Sequence, residues 1–322
     1  MSFKIKLEKS KIIRLQNYIT SDYYNENDLD LTTHWDKRLK NYKNQILFKD
    51  DYILINDFKN GFDEDFKSNF VSVPSKKTSL KNVLAHGLSQ FFKKNQPLGR
   101  LKSHLLREKY DKIILPHENL YRQKALAYLF LNDIFNLNKL KDLDKINFLE
   151  IGSGSGLFAS LILEHLDPQK IDLIDLPQVI PYAFIYLSHK HPNINISLPN
   201  ELDLRNSSVI SFSTPGNLEN ISSFNLIINT LSFGEMKMST IKSYMEFLRN
   251  KCENENIFYC YNRVEKYMIN ANDMDRKLHP IRFAEYPWLN NDEVLLYKLD
   301  DFGHIFTSQP MFKKAVKLSK SI

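Results

Sequence analysis

Apolar residues along this chain recur with two different periods. Leu120, Ala125, Leu126, Leu129, Phe130 and Ile134 fall at helical spacing, on one face of a 3.6-residue repeat. They follow Pro116 and precede a polar stretch at 136–144, so the pattern predicts a bounded helix. Other short helical segments, rich in Lys, Asn and Asp, precede it, and 56–74 is charged, broken by glycine and reads as loop. Residues 1–140 are therefore expected to form a mainly helical N-terminal region. From Ile146 the period changes. Short apolar runs at 147–151, 170–176, 208–213, 224–229 and 256–262 predict buried strands, with helices at 157–166, 179–189 and 239–251 between them. Runs at 293–299 and 305–313 predict a closing antiparallel pair. Strand and helix in alternation give an α/β fold: a Rossmann-like sheet of seven mostly parallel strands over 141–322.

Composition narrows the classes. The 322 residues are 43% hydrophobic, with 22 Phe and 16 Tyr, enough for a packed core. A net charge of +6, from 44 basic and 38 acidic residues, is mild for a nucleic-acid binder, so no nucleic-acid partner is expected. Lys313, Lys314, Lys317 and Lys320 read as solvated lysines of a basic tail. Cys252 and Cys260 have no ligand-spaced partner, and Cys260 lies in the apolar run Ile257-Phe258-Tyr259-Cys260-Tyr261, as a small buried hydrophobe. No run resembles a signal peptide or a membrane span, and the expected location is cytoplasmic.

The sharpest motif is Phe148-Leu149-Glu150-Ile151-Gly152-Ser153-Gly154-Ser155-Gly156-Leu157-Phe158. It sets a strand, a three-glycine turn and a helix in the order of a nucleotide-binding crevice. The acids suggest the ligand. A dinucleotide places its pyrophosphate at the turn and the helix N-terminus, where a neighbouring carboxylate repels it. Glu150, two residues before Gly152, instead suits a cationic ligand such as the ammonium and sulfonium of S-adenosylmethionine. Leu157 also occupies the place of the last glycine of GxGxxG. Asp175, nineteen residues after Gly156 at the end of the second strand, is placed to accept ribose hydroxyls. Gly152, Ser153, Gly154, Gly156, Leu176 and Asn229 complete the expected cofactor contacts, with Ser213 and Thr214 near the adenine.

With these residues in view, Glu150-Ile151-Gly152-Ser153-Gly154-Ser155-Gly156 followed by Asp175-Leu176-Pro177-Gln178-Val179-Ile180 resembles the class I S-adenosylmethionine-dependent methyltransferases. The Asp-Leu-Pro-x-Val-Ile wording is similar to plant phenolic O-methyltransferases, whose aspartate there binds the ribose. Asn229-Thr230-Leu231-Ser232-Phe233-Gly234-Glu235-Met236 and Tyr259-Cys260-Tyr261-Asn262-Arg263 resemble bacterial sugar O-methyltransferases more closely. The resemblance covers about 148–262. It implies a methyltransferase domain over 141–322, with residues 1–140 covering the acceptor and available for homodimer contacts. One departure matters: Phe233 stands where the plant enzymes carry a catalytic histidine.

Transfer to a sugar hydroxyl needs in-line positioning and a route for the hydroxyl proton. The ends of the fourth and fifth strands border the transferred methyl group. Glu235 is accordingly the first candidate base or metal ligand, although its place also suits a helix N-terminal acid. His279 is the alternative base, with His117 and His304 weaker. Ser232, Asn262 and Arg263 are expected at the acceptor, Arg263 holding hydroxyls or a sugar carboxylate through its planar fork. Tyr286-Pro287-Trp288 reads as an aromatic wall or as core. No metal-ligand cluster is apparent, and a divalent ion stays open as an alternative to a protein base. RNA or protein methylation, or a non-catalytic S-adenosylmethionine-binding scaffold, are the rival readings. Asp301-Phe302-Gly303 spells a kinase motif without its companions and reads as a turn.

Overall fold

The computed structural model describes residues 3–25, 39, 45–56, 122–137, 139–143, 145–266, 280–300 and 310–320. Among the described residues its N-terminal part holds both strands and helices. Strands β1 (Phe3–Lys6), β2 (Ile46–Phe48) and β3 (Tyr52–Ile55) form an antiparallel sheet in the order β1-β3-β2. Helices α1 (Lys9–Ile19) and α2 (Arg122–Phe135) accompany it. These strands are three or four residues long, below the length at which alternation stands out from a helical pattern.

The second part is the α/β sheet. Along the chain come β4 (Asn147–Ile151), α3 (Leu157–Leu166), β5 (Lys170–Ile174), α4 (Ile180–Lys190), β6 (Ile196–Ser197), α5 (Leu202–Arg205), β7 (Ile210–Ser213), β8 (Phe224–Thr230), α6 (Met238–Lys251) and β9 (Cys252–Arg263). A short hairpin of β10 (Glu265–Lys266) and β11 (Ile281–Arg282), then β12 (Glu293–Leu299) and β13 (Met311–Lys317), follow. The sheet order is β12-β13-β9-β8-β4-β5-β7-β6. Neighbours from β6 to β9 are parallel, whereas β13 runs antiparallel to both β9 and β12. The fold is Rossmann-like and mostly parallel, as expected, but among the described residues the sheet has eight strands. The two-residue edge strand β6 is the addition, too short to leave a periodic trace.

Alternation on the strands builds two cores. Phe148, Leu173, Phe212, Ile228, Tyr259 and Tyr261 face one side, where they join residues of α1, α2, α3 and α4. Leu149, Ile151, Ile174, Ile227, Phe258 and Cys260 face the other and meet Ile241, Tyr244, Met245 and Leu248 of α6. Phe130 of α2 packs against Phe158, Tyr259 and Tyr261, with ring centroids 6.4, 5.9 and 4.5 Å away. Leu15 and Tyr18 of α1 belong to the same buried cluster. The two cysteines are unpaired and buried, and burial pushes the Cys260 thiol up to about 12.

The lysines of the supposed basic tail require a correction, because three of them sit on β13. Lys313 is only 2% exposed and lies 2.7 Å from Asp133 and 3.3 Å from Asp300. Lys314 stands 4.1 Å above the Trp288 ring, Lys317 pairs with Glu255, and Lys320 donates to the Cys252 carbonyl. The strand expected at 305–313 is thus β13, shifted toward the C-terminus. Among the described residues no helix is long and apolar enough to cross a membrane.

Candidate active site

The sheet changes direction of winding at β4, which has β5 on one side and β8 on the other. The carboxyl ends of strands at such a switch point border the ligand crevice of open α/β sheets. The three-glycine turn begins there. Gly152, Gly154 and Gly156 have φ of 79°, 54° and 75°, left-handed conformations that side chains disfavour. The Gly152 N–H donates to the Ile174 carbonyl at 2.8 Å, fastening the turn to β5, and Gly156 caps α3. A Cβ on Gly152 would lie 2.4 Å from Cβ and Oγ of Ser232. Sequence spacing located this turn, and the backbone explains why each position is glycine.

Glu150 and Asp175 meet at the turn. Glu150 is 3% exposed, and its Oε2 has no hydrogen-bond partner. Burial raises its carboxyl well above the usual range, and the charge of Asp175 adds to the effect. Burial likewise lifts Asp175 to about 6, opposed by N–H groups of Gly154 and Leu176 and by the Ser153 hydroxyl. Those donors lie at 2.6, 2.7 and 3.4 Å. The Asp175 carboxylate therefore braces the turn and, with four lone-pair sites, can still accept further hydrogen bonds. At the end of β7, Ser213 and Thr214 are buried with hydroxyls that find no partner.

Asn229, Ser232 and Asn262 are brought together in one hydrogen-bonded knot. The fully buried Asn229 amide donates to the Ile151 carbonyl at 3.0 Å and to Ser232 Oγ at 2.5 Å. Its Oδ1 accepts from Phe233 N at 3.3 Å and from Asn262 Nδ2 at 2.8 Å. Ser232 Oγ donates to the Ile151 carbonyl at 3.0 Å, and Asn262 Oδ1 accepts from Gly234 N at 3.1 Å. The knot ties the ends of β8 and β9 to the glycine turn. Between Asn229 and Ser232, Leu231 takes a φ of 65°, a costly conformation for a residue with a Cβ.

Beyond the knot, Arg263 Nη1 donates to Glu235 Oε1 at 2.6 Å, and both side chains are partly buried. The candidate base and the arginine expected at the acceptor thus form an ion pair. Tyr286, read from the sequence as aromatic wall or core, adds a polar group that the pattern did not single out. Its ring is core, packed on Phe233, Phe283 and Trp288, yet its hydroxyl is buried without a partner, as is Arg263 Nε. His117, His279, His304 and the 301–303 turn lie outside the described residues. Among the described residues, no group of three His, Cys, Asp or Glu side chains is arranged to hold a metal ion.

No protein-family model matches the sequence, and no curated protein does. Solved structures do match in shape. The N-methyltransferase NodS of Bradyrhizobium japonicum WM9 is 13% identical over 62% of this chain and 97% of its own, with a TM-score of 0.36. A SAM-dependent methyltransferase of Leishmania major is 12% identical over 59% and 73% of the two chains, at 0.38. The ribosomal protein L11 methylase of Lactobacillus delbrueckii subsp. bulgaricus is 12% identical over 60% and 78%, at 0.36.

Proposed function

We propose that this protein binds S-adenosylmethionine at the glycine turn and methylates a hydroxyl of a sugar or surface-glycan precursor, acting in the cytoplasm. The buried carboxyl of Glu150, with one oxygen unpartnered beside Asp175, carries the reading. Two neighbouring buried acids are poor company for a pyrophosphate and good company for a cation. The unpartnered hydroxyls of Ser213 and Thr214 leave hydrogen-bonding capacity for a polar ring at the end of β7. When bound, S-adenosylmethionine supplies a methyl group on a sulfonium, open to in-line attack by an oxygen nucleophile. On this reading, Glu150 offers negative charge to the cationic end and Asp175 accepts ribose hydroxyls. The Asn229–Ser232–Asn262 knot holds the ends of β8 and β9 still, as in-line positioning demands. Glu235 is the base that takes the acceptor proton, with His279 the alternative.

Calorimetry with S-adenosylmethionine, S-adenosylhomocysteine and NAD tests the cofactor. Binding of the first two but not of NAD is expected, and Glu150→Gln should weaken S-adenosylmethionine more than S-adenosylhomocysteine. NAD binding with no response to S-adenosylmethionine refutes the proposal. Labelled-methyl transfer into glycan precursors, with and without EDTA, then tests the acceptor and the involvement of a divalent ion.

A further inference from the structure

Two charged side chains meet past the ends of β8 and β9, and a buried tyrosine feels both charges. Glu235 and Arg263 are joined at 2.6 Å, so their charges cancel, and both remain partly open to solvent. Arg263 Nε and the Tyr286 hydroxyl are buried with no hydrogen-bond partner. A buried donor left unmade is costly, and native structures keep few of them unless something else completes the set. Tyr286 sits within electrostatic reach of the pair. Burial raises its phenol well above the ordinary range, the Cys260 and Glu235 charges add to this, and Arg263 opposes it. The phenol therefore keeps its proton and can donate. Its ring is immobilised by Phe233 and Phe283, with centroids 5.7 and 5.1 Å away.

We infer that Arg263, Tyr286 and Glu235 form a subsite for a neutral polyol, taking two adjacent hydroxyls of an uncharged sugar ring. Each hydroxyl both donates and accepts, so a pair of them matches a trio that offers two donors beside a carboxylate. A uronate or a sugar phosphate fits poorly, because Glu235 already neutralises the guanidinium and would face the incoming anion. Asn262, also expected to touch the acceptor, is committed to Asn229 and Gly234 and stands outside this subsite. The inference rests on the sugar-methylation reading for its role as the acceptor site, but its binding can be measured apart from that reading.

The test is saturation-transfer NMR of full-length protein with methyl hexopyranosides, galacturonate and glucose 6-phosphate, with S-adenosylhomocysteine present and absent. Wild type is compared with Tyr286→Phe, which keeps the buried ring, and with Arg263→Lys, which keeps the charge and loses Nε. Neutral glycosides should bind wild type in at least one arm, and each variant should weaken that binding by about fivefold to tenfold, the loss of one hydrogen bond. Stronger binding of the anionic sugars, no binding of neutral glycosides in either arm, or equal binding by all three proteins overturns the subsite. Calorimetry of S-adenosylmethionine on the same samples judges the cofactor separately. Neutral sugar binding without cofactor binding would leave the subsite standing and remove the methyltransferase.

Discussion

At the scale of single residues, Gly152 and Asp175 make the sharpest claims. Gly152→Ala must hold a left-handed φ and drive a methyl into Ser232. Conformational and packing costs together amount to about 3 kcal/mol, read as a lower thermal midpoint, with cofactor affinity lost as well. Adding Ser232→Gly clears the space but not the φ, so only part of the stability should return. For Asp175 the sign follows from its rise from 3.8 to about 6. The free protein favours the protonated carboxyl, so this group's contribution to stability is fully present below about pH 4 and lost as pH climbs to about 6. A cationic ligand favours the ionised form. S-adenosylmethionine affinity should therefore increase between pH 5 and pH 7, by up to ~tenfold per pH unit for each proton released. Calorimetry across that range should find the slope reduced by one proton in Asp175→Asn.

At the scale of elements, α1 and the turn that follows it reach the segment just after Asp175 at the end of β5. Tyr18 Oη donates to the Pro177 carbonyl at 3.2 Å, and Gln178 Nε2 donates to the Tyr24 carbonyl at 3.1 Å, immediately after Asp175 and Leu176. Arg14 and Lys11 extend the attachment to Glu201, Ile196 and Pro192. Tyr18→Phe is expected to cost about 1 kcal/mol in urea denaturation and to weaken S-adenosylmethionine a few-fold. An unchanged dissociation constant would detach the helix from the site. None of this was legible in the sequence, since the contacts join residues more than 150 positions apart. What could be read were the runs of β4, β5, β7, β8 and β9, each continuous enough to outlast its polar neighbours. The pattern failed at β13 because Lys313 faces inward among Asp133 and Asp300, so charge occurs on both faces of that strand. In the site, glycine spacing exposed the turn and its acids. The Asn229–Asn262 fastening and the Tyr286 hydroxyl emerge only once β8 and β9 are in register.

For the whole molecule, the buried network around Lys313 spans three elements. Tyr259 and Tyr261 of β9 donate to Asp133 and Asp300 at 2.8 and 2.7 Å, and Lys313 binds both acids. It links α2 to the β12–β13 edge of the sheet. Lys313→Met leaves two buried carboxylates without their cation, a loss of ~3–5 kcal/mol in chemical denaturation. Asp133→Asn and Asp300→Asn on that background should recover most of it. The strand that carries Lys313 also imposes an order of assembly. Because β13 separates β9 from β12, a nascent chain arrested before residue 311 has the flank of β9 bare and β12 with nowhere to dock. Such a bare flank invites foreign strands. Ribosome-bound intermediates of that length should recruit chaperones and yield to protease, and both susceptibilities should vanish once the last seven-residue strand has slid between its neighbours.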